Sequence, residues 1–342
     1  MTSPNSLNSL HDTLNRPLRD LRISVTDRCN FRCRYCMPAE VFGDDYDFLP
    51  KQQILSLEEI ARMARLFCKL GVEKLRLTGG EPLLRRGISE LVEMLAEIPE
   101  AKDIAMTTNG TILSRHASEL KNAGLHRVTV SLDALDPAIF GRMNGKGASA
   151  DHVIEGIDAA LSCGLGVKIN SVIQKGVNER EVFALAEFAR ERGIPLRFIE
   201  FMDTGNTNGW KLDQVIPFQE LLKELHQRFP LEALEANSIG ETASRFRYLD
   251  APQSELGFIS SVSKPFCSDC NRARLSADGQ MFNCLFASHG HNLKSAMRDG
   301  ATDDQMAELI GHIWSARNDR YSELRSEIGG THMKPEMSYI GG

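Results

Sequence analysis

The sequence has no run of 18 apolar residues, so it offers no candidate for a membrane-spanning helix. The segment from Met1 to Asp12 is polar and lacks both the apolar core of a secretory signal and the arginines of a transit peptide. The net charge is −6 over 342 residues. The chain is therefore no general polyanion binder, and any phosphate site must be a local cluster of basic residues. These absences predict a cytoplasmic protein that binds neither nucleic acid nor a membrane.

The eight cysteines are not expected to form a disulfide framework, because disulfides are rare in cytosolic proteins. Two of them, Cys68 and Cys163, lie within predicted helices among apolar residues and are expected in the core. The other six fall into two groups of three, and the members are Cys29, Cys33 and Cys36, then Cys267, Cys270 and Cys284. This grouping points to metal chemistry.

Short apolar runs alternate with amphipathic segments over the first two thirds of the chain. The predicted strands are 21–25, 74–78, 104–108, 127–131, 167–172 and 196–201, with helices between them. Such alternation predicts an α/β fold with parallel crossovers. Six units favour a partial (β/α)6 TIM-like barrel, and a doubly wound open sheet is the alternative. In both folds, functional side chains lie at the carboxyl ends of the strands.

Three regions are predicted from the change of pattern along the chain. Residues 1–16 are expected to form a flexible N-terminal arm, and residues 17–215 the barrel. The βα alternation stops near residue 210, so residues 216–342 are expected to form a separate C-terminal α+β layer. This layer carries the second cysteine group and ends in a flexible Gly341-Gly342 tail.

The first cysteine group has the spacing C-x-x-x-C-x-x-C and directly follows the first predicted strand. A structural zinc site requires four protein ligands. A [4Fe–4S] cluster held by three cysteines keeps one iron open for a small-molecule ligand. The spacing favours the cluster, and a zinc site with a distant fourth ligand is the alternative.

The run CNFRCRYC, together with the TGGEP run at residues 78–82, resembles the radical S-adenosylmethionine (SAM) superfamily. The resemblance implies a partial TIM barrel and a [4Fe–4S] cluster whose open iron chelates SAM. It further implies that Glu81 and its glycine turn contact the amino group of SAM. The residues placed around SAM by the resemblance are Tyr35, Gly80, Ser131 and Met202.

The second cysteine group has the spacing C-x-x-C-x13-C, again with three thiols. His289 or His291 is near enough in sequence to complete a Cys3His zinc site, which is the structural alternative. Arg272 and Arg274 lie inside the same loop, however. A guanidinium matches phosphate oxygens in a bidentate fork, so these arginines favour an anionic substrate beside the cysteines.

The C-x-x-C-N-R-x-R run and the terminal SYIGG resemble the radical SAM cyclases of molybdenum cofactor biosynthesis. The resemblance implies a second [4Fe–4S] cluster at Cys267, Cys270 and Cys284 that holds the guanine of GTP. It implies that a 5′-deoxyadenosyl radical abstracts hydrogen from C3′, that C3′ attacks C8, and that the product is (8S)-3′,8-cyclo-7,8-dihydroguanosine 5′-triphosphate. It also implies a GTP-binding set, with Arg22 in a catalytic role as well, made up of Arg22, Arg76, Thr107, Lys168, Arg272 and Arg274.

Three of those cations occupy predicted strands among apolar residues. Arginines and lysines in strands usually extend to the surface. A charge inside a partial barrel must instead be paired or meet a ligand, because an isolated buried charge is costly. Three strands that each carry one cation, Arg22, Arg76 and Lys168, therefore favour a bound anion.

The resemblance implies that the Gly341-Gly342 tail, in place of being flexible, inserts toward the active site. It also implies partners. They are a reduced flavodoxin- or ferredoxin-type electron donor, a cyclic pyranopterin monophosphate synthase that takes the product, and a second copy of the chain in a homodimer. Two alternatives stand beside this hypothesis. One is a peptide-modifying radical SAM enzyme with an auxiliary cluster, and the other is a non-catalytic iron–sulfur or zinc protein.

Overall fold

The structure is a computed structural model that describes residues 10–238, 240–325, 327 and 333–341. Its strands, in chain order, are β1 Asp20–Ser24, β2 Lys74–Thr78, β3 Asp103–Thr108, β4 Arg127–Ser131, β5 Gly166–Ile173, β6 Leu196–Glu200, β7 Leu231–Leu234, β8 Ser244–Tyr248, β9 Glu255–Ile259, β10 Arg272–Leu275, β11 Gln280–Phe282 and β12 His291–Asn292. Its helices are α1 Leu57–Lys69, α2 Ile88–Ala96, α3 Leu113–Asn122, α4 Pro137–Asn144, α5 Asp151–Ser162, α6 Val182–Glu191, α7 Phe218–Arg228, α8 Leu293–Arg298, α9 Asp303–Ser315, α10 Tyr321–Leu324 and α11 Met337–Ile340.

One sheet contains all of these strands, in the order β12-β11-β10-β1-β2-β3-β4-β5-β6-β9-β8-β7. Strands β1 to β6 pair in parallel and in chain order, which confirms the predicted βα alternation. The parallel pairing continues at both sides, because β10 pairs with β1 and β9 with β6. Eight neighbouring strands therefore have their carboxyl ends at one edge of the sheet.

The C-terminal third does not form a separate layer, so that expectation is wrong. Its strands extend the existing sheet at both edges, through β9 on one side and β10 on the other. Sequence patterns miss this arrangement because the pairing joins residues far apart in the chain, such as Asp20 and Arg272. The second cysteine group thereby lies beside the first strand.

Local sequence signals decide where several helices begin. Ser56 caps α1 by accepting a hydrogen bond from the Glu59 backbone N–H, and the Glu59 carboxylate accepts from the Ser56 backbone N–H. This reciprocal pair is a capping box, which the Ser-x-x-Glu spacing at residues 56–59 predicts from the sequence. The spacing of Asn178 and Glu181 likewise predicts a cap pair for a helix over residues 179–192, but this prediction is wrong, because Asn178 makes no cap bond and its side chain donates to the carbonyls of Asp133 and Val172.

A continuous apolar core lies between the sheet and its helices. Helix α1 contributes Ile60, Met63 and Phe67, which recur on one helical face and are fully buried. Cys68 belongs to this core, as expected, and Cys163 is half-buried at the end of α5. Among the described residues, no helix is both long and apolar enough to cross a membrane.

The described part of the expected flexible arm, residues 10–16, is packed against the C-terminal region. Arg16 is 1% exposed and its guanidinium pairs with Asp12 at 2.5 Å. Thr13 donates to the carbonyl of Arg317 at 2.7 Å. The arm thus differs from the expectation, because a polar segment can be ordered by distant buried partners that its own sequence does not reveal. Residues 1–9 lie outside the described part.

Candidate active site

A cavity of about 890 Å³ runs along the parallel strands, and residues at both their amino ends and their carboxyl ends line it. Both cysteine groups line it, although they lie more than 200 residues apart in the sequence. None of the six thiols is in a disulfide. The cavity is large enough for a nucleotide-sized ligand, since such sites are typically about 300–1,000 Å³.

The first cysteine group lies in the loop after β1. The carbonyl of Cys33 accepts hydrogen bonds from the N–H groups of Cys36 and Met37, at 2.9 and 2.7 Å, so the loop folds back over itself. The N–H of Phe31 points at the Cys29 sulfur at 3.4 Å. Burial, followed by repulsion from Glu81, raises the pKa of Cys29 to about 12. Such thiols become thiolates only beside a strong positive charge, so this donor set suits a metal centre.

The glycine turn after β2 lies directly against this loop. Gly80 donates its N–H to the Thr26 carbonyl at 2.8 Å, and Glu81 donates to the Arg28 carbonyl at 2.8 Å. A Cβ at position 80 would lie 2.5 Å from the carbonyl carbon of Arg28 and closer still to its oxygen. Only glycine allows this approach, and the turn therefore positions the first cysteine loop.

The Glu81 carboxylate is already engaged by the chain itself. One oxygen accepts from Leu83 N–H and from the Thr108 hydroxyl, at 3.1 and 2.7 Å, and the other accepts from Asn109 N–H at 2.7 Å. Glu81 is 1% exposed, and burial raises its pKa to about 7 despite these donors. The carboxylate therefore fixes the turn to the end of β3, and contact with a ligand ammonium stays a prediction.

The four residues expected around SAM, which are Tyr35, Gly80, Ser131 and Met202, all line the cavity. The Tyr35 hydroxyl donates to Asp133 at 2.8 Å. Ser131 on β4 lies opposite Asn170 on β5, whose buried Oδ1 has no hydrogen-bond partner within the described chain. Because a buried polar atom without a partner is costly, this wall of the cavity fits a polar ligand.

The second cysteine group is surrounded by cations. Burial opposes ionisation of Cys270, but Arg272 and Arg317 outweigh it and lower the pKa of this thiol to about 6. Burial, followed by repulsion from Asp319, raises the pKa of Cys284 to about 12. Three thiols that share one cavity wall and face cations form a donor set that fits an iron–sulfur cluster.

The zinc alternatives find no support in the geometry of the described residues. His289 and His291 are exposed on the surface and do not line the cavity. Among the described side chains, no three histidine, cysteine or acidic groups converge closely enough for a single metal ion. A single zinc ion needs every ligand atom within about 2.3 Å, whereas a four-iron cluster bridges wider gaps.

Three arginines form a row across adjacent parallel strands. Arg22 on β1 lies opposite Arg274 on β10 and opposite Arg76 on β2. All three line the cavity between the two cysteine groups. Burial and the neighbouring guanidinium groups lower the pKa of Arg22 and Arg76 to about 9 and that of Arg274 to about 10. Adjacent buried cations repel one another, so the row requires an anion.

Partners within the chain compensate this charge only in part. The Nε atoms of Arg22 and Arg76 are buried and have no hydrogen-bond partner in the described portion of the protein. Arg76 makes two long contacts through Nη1, to the hydroxyls of Thr107 and Thr129 at 3.3 and 3.2 Å. Asp20 is a nearby carboxylate that favours their charged forms. The guanidinium N–H groups of Arg22 and Arg76 that have no partner suit the oxygens of a phosphate group.

The remaining expected GTP residues divide into two groups. Thr107 and Arg272 line the cavity, and the Arg272 guanidinium stacks over the Phe266 ring at 5.1 Å. Lys168 is not among the lining residues. It lies opposite Thr129 in the sheet, and burial together with repulsion from Arg197 lowers its pKa to about 8. Its contact with a ligand stays a prediction.

The C-terminal segment enters the cavity region, so its described part differs from the expected flexible tail. Ile340 is fully buried, and the Gly341 carbonyl accepts a hydrogen bond from Arg274. The backbone of Gly341 has φ +75°, and a Cβ there would collide with the Thr78 methyl group. Lys334 anchors the segment through an ion pair with Asp203 at 2.9 Å. Gly342 lies outside the described residues.

Sequence reasoning missed several lining residues. Asp133 accepts from Tyr35 and from Val172 N–H, and burial raises its pKa to about 6. Its position just after β4 could have indicated a residue of the site, because functional side chains in such folds follow the strand ends. Arg197 on β6 and Arg317 after α9 also line the cavity. Arg197 alternates with apolar neighbours as Lys168 does, whereas nothing local distinguishes Arg317.

Two family models match the chain. Residues 23–189 match the Radical SAM superfamily, and residues 194–323 match Molybdenum Cofactor Synthesis C. The crystal structure of Streptococcus suis SuiB bound to S-adenosylmethionine superposes with a TM-score of 0.61 at 16% identity, and the match covers 96% of this chain and 77% of that one. A likeness at this identity bears on the fold alone. The fold and the site define a radical SAM protein.

Relatives that match over nearly their whole length identify the family more narrowly. A GTP 3′,8-cyclase of Acidothermus cellulolyticus is 50% identical, with all of both chains covered. A GTP 3′,8-cyclase of Staphylococcus epidermidis is 48% identical, covering 97% of this chain and 99% of the relative. The chain belongs to the GTP 3′,8-cyclase family of radical SAM enzymes.

Proposed function

We propose that the protein converts GTP to (8S)-3′,8-cyclo-7,8-dihydroguanosine 5′-triphosphate, the first step of molybdenum cofactor biosynthesis. The observation that carries the proposal is the row of Arg22, Arg76 and Arg274 between the two cysteine groups. A triphosphate carries about four negative charges, and this row supplies buried cations with free donors. The cyclase relatives, which match over nearly their whole length, support the same reaction.

The cofactors proposed are two [4Fe–4S] clusters and SAM. Cys29, Cys33 and Cys36 hold the first cluster, and Cys267, Cys270 and Cys284 the second. When bound, the first cluster and SAM supply a 5′-deoxyadenosyl radical that takes the hydrogen from C3′ of GTP. The residues described here bind and orient the reactants around that chemistry.

The wall formed by β4 and β5 holds SAM in this proposal. Gly80 leaves room for the backbone of the first cysteine loop, Ser131 and Asn170 line the wall, and Met202 lines the cavity just after β6. Tyr35 is held by Asp133, so its ring position is set before a ligand arrives. A preorganised wall lowers the entropy lost when the reacting groups are aligned.

The neighbouring part of the sheet, from β10 through β3, holds GTP in this proposal. Arg22, Arg76, Thr107 and Arg274 bind the triphosphate and ribose, and Lys168 approaches from β5. Arg272, stacked on Phe266, lies beside the second cysteine group, where the guanine is placed. Arg22 occupies the centre of the row and is assigned a catalytic role in orienting C3′ toward the first cluster.

The parallel part of the sheet is proposed to curve as a partial barrel around the cavity. Residues from β1 to β6, from β9 and from β10 all line it, as a concave sheet requires. The boundary near residue 215 stays a prediction, and the two family models meet between residues 189 and 194. Cytoplasmic location, a reduced flavodoxin- or ferredoxin-type donor, a downstream cyclic pyranopterin monophosphate synthase and a homodimer complete the proposal.

The test is an anaerobic assay with reduced protein, SAM and GTP. About eight irons per chain are expected, four for each cluster, together with 5′-deoxyadenosine and the cyclised nucleotide in equal amounts. SAM cleavage without any cyclised product would contradict the substrate and favour a peptide-modifying enzyme. Bound zinc without iron–sulfur absorbance would contradict the enzyme itself.

Two variants separate the proposed sites. Cys33→Ser is expected to abolish SAM cleavage, because it removes a ligand of the first cluster. Arg274→Ala is expected to weaken GTP use while SAM binding is unchanged, since Arg274 lies on β10, which β1, β2 and β3 separate from β4 and β5. Normal GTP affinity in this variant would remove Arg274 from the phosphate site.

A further inference from the structure

The segment of residues 10–19 wraps against the second cysteine loop through buried polar contacts. His11 and Pro17 form a β-bridge, and Asp12 N–H donates to the Arg16 carbonyl at 3.1 Å. Asn15 adopts φ +60°, which closes this small loop. Arg19 N–H then donates to the carbonyl of Asn271, at 3.0 Å, within the cysteine loop itself.

Two buried arginines hold the backbone at the first two cysteines of that group. Arg16 Nη1 donates to the carbonyl of Cys267 at 2.8 Å and to the carbonyl of Asp319 at 2.9 Å. Arg317 Nη1 donates to the carbonyl of Cys270 at 2.6 Å. Both guanidinium side chains are 1% exposed. Each arginine therefore places a buried positive charge against the backbone carbonyl of a cysteine.

Shared counter-ions join the two arginines into one unit. Asp12 pairs with Arg16 at 2.5 Å and with Arg317 at 3.6 Å, and its side chain is fully buried. Asp319 pairs with Arg317 at 2.9 Å, and Trp314 Nε1 donates to the Arg16 carbonyl at 3.2 Å. Asp12 and the two guanidinium groups are buried and paired with one another, which restricts the movement of the cysteine carbonyls, although the buried Nη2 atom of Arg16 has no hydrogen-bond partner among the described residues.

We propose that Arg16 is a positioning residue for the second iron–sulfur cluster, acting through the Cys267 carbonyl and the Asp12–Arg317 pair. This inference rests on the proposed function, because it takes Cys267, Cys270 and Cys284 as cluster ligands. Arg16 does not line the cavity, so it acts on the cluster loop and not on GTP. Ligand geometry and nearby charge are two of the means by which a protein tunes such a cluster.

Loss of these contacts is expected to change both how firmly the second cluster is retained and its reduction potential. A loop whose carbonyls are no longer held can turn its thiols away, and iron is then lost faster. A nearby buried cation also favours the more negative, reduced state of a cluster. Removing it is therefore expected to lower the reduction potential of the second cluster and to leave the first cluster unchanged.

The experiment uses a variant in which Cys29, Cys33 and Cys36 are each replaced by Ala, so that only the second cluster can form. Iron content, release of iron to a chelator and the midpoint potential are measured under anaerobic conditions. With Arg16 present, about four irons per chain are expected. Fewer than one iron would contradict the proposed second cluster itself, independently of the role of Arg16.

Arg16→Met and Arg16→Lys are then compared in that background and in the full chain. Arg16→Met is expected to lose at least half of the second-cluster iron, and its full-chain form to cyclise GTP at least tenfold more slowly while uncoupled SAM cleavage continues. Arg16→Lys keeps the charge and is expected to retain the iron but to release it several-fold faster. Arg245→Met removes an arginine whose side chain is 10% exposed, which pairs with Glu255 and is distant in sequence from the first cysteine group; it is the control and is expected to keep normal iron release.

Two outcomes overturn the inference. The first is a folded Arg16→Met protein with full iron content and an unchanged midpoint potential. The second is an Arg16→Lys protein whose iron release and midpoint potential match those of the parent. This outcome decides the question if circular dichroism shows that Arg16→Met does not fold.

Discussion

Replacing Arg76 with Met is expected to make the ligand-free protein more stable while it weakens GTP binding. Arg76 is 7% exposed, and burial and the charge of Arg22 lower its pKa from 12.5 to about 9. Each pKa unit corresponds to about 1.4 kcal/mol, so the charged form costs the ligand-free fold about 4–5 kcal/mol. Methionine fills much of the same volume without the charge.

The variant also loses two hydrogen bonds, to Thr107 and Thr129, at 3.3 and 3.2 Å. At about 1 kcal/mol each, they offset part of the gain. The free energy of unfolding is therefore expected to rise by about 2–3 kcal/mol, as the difference between these two contributions. The assay is urea unfolding in a buffer without phosphate or nucleotide.

Tripolyphosphate provides the second half of this test. A ligand at about one hundred times its Kd stabilises the native state by about 2.7 kcal/mol. The parent protein is expected to gain stability on addition of tripolyphosphate, and Arg76→Met is expected to gain less, because the row then has two cations and not three.

The matched control is Arg127→Met on the nearby strand β4. Arg127 donates to both oxygens of Asp103, at 3.0 and 2.6 Å, so it already has a partner. Its removal is expected to destabilise the protein by about 1 kcal/mol, since Asp103 is partly exposed. The reasoning is refuted if Arg76→Met unfolds at lower urea than the parent, or if tripolyphosphate stabilises the two equally.

Three further predictions concern the turn at the end of β2 and the cap of α1. Gly80→Ala is expected to displace the Arg28 backbone, to cost about 2 kcal/mol in two backbone hydrogen bonds, and to abolish SAM binding as measured by calorimetry. The control is Gly311→Ala, whose added Cβ meets nothing within 4 Å. Equal effects of the two substitutions would contradict the steric argument. The raised pKa of Glu81 implies that this group's stabilising contribution is present below pH 4.5 and is lost as the pH rises through about 7. Relative to the parent, Glu81→Gln should thus be more stable at pH 8 than at pH 5 in urea titrations, and a pH-independent difference would argue against it. Ser56→Ala is expected to cost about 1 kcal/mol by removing the capping box of α1, without effect on SAM cleavage.

Much of the core architecture could be predicted from local patterns. The six strands from β1 to β6 lie within two residues of their predicted bounds, because buried parallel strands are short apolar runs separated by amphipathic helices. The capping pair Ser56 and Glu59 correctly marked the start of α1. Helix α4 was missed, since Pro137–Asn144 is short and follows a loop-like SLDALD run.

The sequence by itself determined the chemistry that is available: two groups of three cysteines, a glycine turn after a strand, and isolated cations within apolar strands. These are local features, because residue types at a fixed spacing can be recognised from the sequence without knowledge of the fold. The tertiary structure alone decided how they combine. Pairing of β10 with β1 brings Arg274 beside Arg22, and only this register makes a row with Arg76. Burial of Arg16 against Cys267 likewise depends on contacts between opposite ends of the chain. Such contacts follow from the summed packing energy of the whole fold, and no local pattern encodes them.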